Sequence, residues 1–136
     1  MADMMARGMA WFARMGQRHA AIPVVYERPP SHANTGSRRA RRVTVLAVLG
    51  RPDATGEASV EPVRVDAEGV DFLVSAADLV FGRQMVEPRT DDRVYLKRDG
   101  RILVYEVMPR TSGSPPWRWS DPQQTIRRIS AKRVDG

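Results

Sequence analysis

Apolar and polar positions change period along this chain, and the changes divide it into elements. Over residues 1–18, Met4, Met5, Met9, Trp11, Phe12 and Met15 fall on one half of a helical wheel, with Asp3, Arg7, Arg14, Gln17 and Arg18 on the other. This predicts an N-terminal amphipathic helix, with His19 as its C-terminal cap. Such a face suits a membrane interface or a transit peptide, but Asp3 and the methionine stripe suit packing on protein, where pliable methionines fill irregular gaps. From Pro23 onward the period shortens to that of strands.

Val24–Tyr26 is a short strand stopped by Pro29 and Pro30. A polar run without periodicity follows, ending in Arg38, Arg39, Arg41 and Arg42. In Val43–Leu49 both alternating sets are apolar, which predicts a central or interface strand covered on both faces. Val60, Val63 and Val65 suggest an interrupted strand, and Val70, Phe72 and Val74 a regular one. Ser75 and Asp78 frame one helical turn, closed by Gly82. The clearest signal is Asp99-Gly100 between two alternating runs, because this pair supplies the positive backbone angles of a two-residue hairpin. Leu103, Tyr105 and Val107 line one face of its second strand, and Ile102, Val104 and Glu106 the other. In the last strand, Thr125–Val134, Ile126 and Ile129 have opposite parity, which predicts a bulge or one exposed isoleucine.

These elements make the chain mainly β: a small antiparallel barrel or sandwich with an N-terminal amphipathic helix and long loops. One domain is expected over 22–134, after the helix at 1–18, with loops at 29–42, 50–59 and 109–124. The 136 residues, 42% of them hydrophobic, suffice for one core and leave no room for a second. The absence of cysteine excludes thiol catalysis, iron-sulfur clusters and disulfide scaffolds, and two histidines make a poor metal centre. No apolar run is long enough for a membrane helix, and arginines interrupt any signal-peptide core, so a cytoplasmic chain is expected.

Candidate chemistry is sparse. There is no nucleophile elbow, phosphate-binding loop or zinc-protease helix, so the chain is read as a non-enzyme with no cofactor and no metal. Asp91 and Asp92 could hold a hard cation, but no loop of oxygen ligands accompanies them, and they are read as a solvated turn. Twenty-two basic residues against sixteen acidic give +6, which favours an anionic partner or simply solubility. The Arg38, Arg39, Arg41 and Arg42 cluster is the candidate for facing phosphates or an acidic neighbour; its other reading is a basic loop entering a strand. Pro115-Pro116-Trp117-Arg118-Trp119-Ser120-Asp121-Pro122 is the most distinctive stretch. One tryptophan is expected to anchor in the core and the other to project oppositely toward a partner, while Asp121 accepts hydrogen bonds or pairs with Arg118.

That stretch resembles one found in small tailed-phage proteins that join the DNA-filled head to the tail, the head completion, stopper or head-to-tail joining proteins. The resemblance extends through Met9-Ala10-Trp11-Phe12, Val24–Arg28, Asp71–Val74 with Ala76–Leu79, Glu87-Pro88 and Tyr105–Met108. The chain departs from that pattern in having Gln123 where tyrosine is usual, Ser130 and Ala131 in place of His-Thr, and Asp91 where glycine is usual.

The resemblance implies a structural connector in the virion neck, assembled in the host cytoplasm as a homo-oligomeric ring around the DNA channel. Its neighbours would be a portal or adaptor ring and the tail proteins. On this reading Trp117, Arg118, Trp119 and Asp121 meet a partner, and Met5, Met9 and Phe12 make a second contact. The four clustered arginines face DNA or an acidic ring. The alternative is a free nucleic-acid-binding barrel.

Overall fold

The computed structural model describes residues 21–30, 39–50 and 69–134. The expected helix with Met5, Met9 and Phe12, residue Arg38 and the interrupted strand near Val60 lie outside the described residues.

Nine strands are described: β1 (Ile22–Arg28), β2 (Arg41–Gly50), β3 (Gly69–Ser75), β4 (Val80–Phe81), β5 (Gln84–Met85), β6 (Arg93–Arg98), β7 (Arg101–Val107), β8 (Trp117–Trp119) and β9 (Ile126–Arg133). A 3-10 turn at Ala76–Asp78 precedes β4 and corresponds to the expected helical turn, although the Ser75 side chain makes no cap. Arg41 and Arg42 open β2 rather than close a loop, and the 109–124 segment contains β8.

The neighbours β3-β2-β1-β6-β7-β9 are paired antiparallel in turn, and pairing of β9 with β3 closes them into a six-stranded barrel. Closure removes the open edges that a sandwich of this size would expose. Alternation decides what fills the interior: Val24, Tyr26, Val45, Ala47, Phe72, Val74, Val94, Leu96, Leu103, Tyr105, Val107 and Ile129 are all buried in one cluster. Phe72 and Tyr105 meet edge to face at 5.3 Å. Each large side chain buried in this way contributes about 1.5–3 kcal/mol. The Asp99-Gly100 hairpin is present, with φ of 52° and 76° at its two central residues.

The barrel has an upper rim, where β1, β3 and β7 end and β2, β6 and β9 begin, and a lower rim with the Asp99-Gly100 turn. Strand β9 gives one edge wholly to β3 and divides the other between β7 and β8. The handover falls at Ser130: its carbonyl accepts from the Met108 N–H at 3.1 Å, and its N–H donates to the Pro116 carbonyl at 2.8 Å.

Two expectations about strand faces are corrected. Ile126 and Ile129 require neither a bulge nor exposure: Ile129 faces the interior, and Ile126 is buried on the outer face against Val48 and Leu73. A second apolar cluster on the outside of β2, β3 and β9 therefore accommodates the opposite parity. In β2 that outer cover reaches Val48 but not Leu46, which is exposed, so the strand is covered on both faces only near its end.

Candidate functional site

Trp117 and Trp119 are two residues apart in a strand, and side chains at that spacing share a face. Both lie on the inward side of β8, with ring centroids 4.9 Å apart in a T-shaped arrangement. This overturns the expectation that they point oppositely. Trp117 packs on the barrel core, and both rings remain half-buried near the upper rim.

The cation that completes this pair is Arg127 of β9, a residue the sequence reading did not single out. Its guanidinium carbon lies 4.6 Å from the Trp117 centroid and 5.2 Å from that of Trp119. Register explains the contact, because Trp119 sits opposite Arg127 and Trp117 opposite Ile129. Arg127 Nη1 donates to the Val86 carbonyl at 2.5 Å, while its buried Nε has no hydrogen-bond partner. Burial lowers the Arg127 pKa, opposed by the charge of Glu87. A desolvated guanidinium over two rings is worth about 2 kcal/mol or more at each, against the cost of burying it.

Arg118, between the tryptophans, takes the opposite face, cross-strand from Arg128. Burial lowers its pKa first, then the charges of Arg110 and Arg128, with Asp71 pulling the other way. Asp71 is thus the acid whose charge acts on Arg118. Asp71 is fully buried; its Oδ2 accepts from Arg128 Nε at 2.6 Å and from Arg110. Burial pushes the Asp71 carboxyl up, and the two guanidiniums oppose that shift. Gly50 makes the space, since a Cβ there would come within 2.9 Å of Arg128 Nη2.

Asp121 organises the turn after β8. Its carboxylate accepts from the backbone N–H of Thr125 at 3.0 Å and of Ile126 at 2.8 Å, and from the Thr125 hydroxyl at 2.5 Å. These bonds satisfy donors that would otherwise be orphaned where β9 begins. Gln124, with φ of 57°, tightens the same turn.

The segment 79–92 lies at the upper rim, and Asp92 anchors it. Far from solvated, Asp92 is 2% exposed. Oδ2 accepts from the Tyr26 hydroxyl at 2.5 Å, from Arg28 Nη2 at 3.0 Å and from the Arg89 N–H at 3.0 Å; Oδ1 accepts from Arg28 Nε at 3.2 Å. Burial and the neighbouring Asp92 charge both raise the Tyr26 pKa, keeping the phenol protonated. Asp91 stays exposed and has a φ of 78°, the left-handed region that favours glycine.

Of the clustered arginines described, Arg39 and Arg41 are exposed where β2 begins, at the same rim as the tryptophans. Arg42 is committed to Glu27 by an ion pair at 2.5 Å, and that carboxylate also accepts from the Tyr95 hydroxyl at 2.9 Å. The structure therefore brings the Trp117–Trp119 motif and two of the expected arginines to one end of the barrel.

In comparison with known families, residues 2–136 match the family model described as phage head-tail joining protein. The chain belongs to that family. No curated protein and no solved structure matches it. Membership makes this head-tail joining chain a structural connector of the virion neck, with phage head and tail proteins as its neighbours.

Proposed function

We propose that the chain forms a homo-oligomeric ring between the portal or adaptor ring and the tail, surrounding the DNA channel, and that it assembles there in the host cytoplasm. The observation that supports this most is the placement of recognition chemistry at one rim: half-buried Trp117 and Trp119 clamped by Arg127, and, where β2 begins, exposed Arg39 and Arg41. Trp117 and Trp119 supply the aromatic anchors of the partner contact, and Asp121 holds their turn in shape. Arg118 and the Asp71 cluster stiffen the outside of the same strand pair. Arg39 and Arg41, with Arg38, face DNA or an acidic neighbouring ring, an interaction that weakens as salt rises. Met5, Met9 and Phe12 form a second contact.

The test is electron microscopy of particles made when this gene is disrupted, with complemented controls. Separate full heads and free tails are expected. Normally joined, infectious particles overturn the reading and bring forward a free nucleic-acid-binding barrel.

A further inference from the structure

Strand β8 has an open edge. It stands last in the order of the main sheet, and among the described residues it pairs with β9 alone. Hydrogen bonds at its two ends fix which of its peptide groups that pairing uses: the Ser130 N–H donates to the Pro116 carbonyl and the Ser120 N–H to the Ile126 carbonyl, each at 2.8 Å. In an antiparallel ladder every second residue turns its peptide groups to a given neighbour, so the N–H and carbonyl of Arg118 meet Arg128, its register partner. Those of Trp117 and Trp119 point the other way, where no described strand meets them. The stretch from Trp117 to Ser120 is half-buried, so solvent reaches it. Two N–H groups and two carbonyls in a row along an edge are a template for one more strand.

We infer that this edge receives an extended segment of a neighbouring head or tail protein, added antiparallel to β8 and carrying an acidic residue between two apolar ones. The inference deepens the reading of Trp117 and Trp119 as partner anchors, on which it rests. Strand period assigns the pattern. Side chains opposite Trp117 and Trp119 share the indole face, where β-branched and aromatic residues pack best. The side chain opposite Arg118 shares the outer face, where Arg118, Arg110 and Arg128 stand near the carboxylate of Asp71. Three guanidiniums to one acid among the described residues there, on a chain of net charge +6, select a carboxylate. The described strands that carry the same pattern, Val70-Asp71-Phe72 in β3 and Tyr105-Glu106-Val107 in β7, are paired on both edges inside the barrel. A second copy has neither of them to offer, so the added strand belongs to a different protein, as the head and tail neighbours of this family are.

The probe is a synthetic peptide, acetyl-Thr-Val-Glu-Val-Thr-amide, titrated into the full-length chain labelled with nitrogen-15 and followed by amide NMR. In the free chain, after correction for intrinsic rates, the Trp117 and Trp119 N–H groups are expected to exchange with deuterium about tenfold faster than the Arg118 N–H, and saturating peptide is expected to slow them. In antiparallel pairing both valine nitrogens face β8 and the glutamate nitrogen faces away. Methylating the two valine nitrogens should therefore weaken binding about tenfold or more, while methylating the glutamate nitrogen should change it less than about threefold. Lysine in place of the glutamate should weaken binding about threefold or more, and Arg118→Glu should reverse that preference. Equal exchange at the three amides of the free chain, or protection that grows with protein concentration, means that the chain itself or a second copy covers the edge, and overturns the inference. Binding indifferent to methylation of the valines, or no binding, overturns it too. The anchor reading is checked separately with Trp119→Leu, its thermal transition retained, which should lower the yield of joined particles. If that yield falls while the peptide fails, the anchors stand without an added strand; if the yield is unchanged, the anchor reading falls and the inference with it.

Discussion

Replacing Asp92 with asparagine removes one charge from the buried network that ties the 79–92 segment to β1. Asp92 Oδ2 accepts three bonds and Oδ1 accepts one from Arg28 Nε. If the amide oxygen takes the place of Oδ2, the amide nitrogen presents a donor to the Arg28 donor, and one hydrogen bond is lost outright. Bonds to a charged acceptor are worth about 1.5–3 kcal/mol each, against about 0.5–1.5 for neutral ones. Weakening the Tyr26 and Arg28 contacts and leaving one donor unsatisfied therefore costs about 3 kcal/mol. For a chain of this size each kcal/mol moves Tm by roughly 3–5 °C, so calorimetry of Asp92→Asn should show a fall of roughly 10 °C. Tyr26→Phe combined with Asp92→Asn should be less than additive by about 1 kcal/mol, since the two share one bond. A fall in Tm below about 3 °C, or strict additivity, would show that the buried carboxylate is not the anchor described here.

Three further outcomes follow from neighbouring residues. Asp91→Gly should raise Tm, by the equivalent of about 0.5–1 kcal/mol, because relief of the φ of 78° exceeds the added freedom of the unfolded chain; unchanged or lower Tm refutes the strain. Burial raises the Tyr26 pKa above that of the unfolded phenol, so its contribution is intact below pH about 10 and is lost as pH rises through and beyond that value. Denaturation midpoints should fall above pH about 10, and Tyr26→Phe should flatten that decline. Asp121→Ala should cost about 1–3 kcal/mol in urea denaturation, as the Thr125 and Ile126 donors lose their acceptor, and should lower the yield of joined particles in a complementation assay.

The strands were legible wherever their signals were local. Asp99-Gly100 states its turn chemistry in two residues, and the alternation of Leu103, Tyr105 and Val107 against Ile102 names the inward face without any partner. The rim was harder to read because its contacts join distant segments. Nothing near Asp92 announces Tyr26, which is 66 positions away. Arg127 looked like one more charge in a basic chain until pairing of β8 with β9 set it under two indole rings. Two features were nevertheless present in the sequence. Strand period already requires Trp117 and Trp119 to share a face, and Asp91 standing where glycine is usual already marks a left-handed turn.

The division of the β9 edge at Ser130 bears on how such a connector can diversify. The chain leaves that edge at Met108 and returns to it at Pro116, with both ends secured by one residue's peptide groups. What lies between is an excursion tied to the barrel by the Arg110–Asp71 ion pair, with no strand from Thr111 to Pro115. Doubling a loop adds only about 0.6 kcal/mol of closure entropy, so this stretch can lengthen or change composition while every interior contact stays in register. A neck protein could thereby keep one scaffold while its counterpart drifts, with new recognition sequence spliced at a single seam.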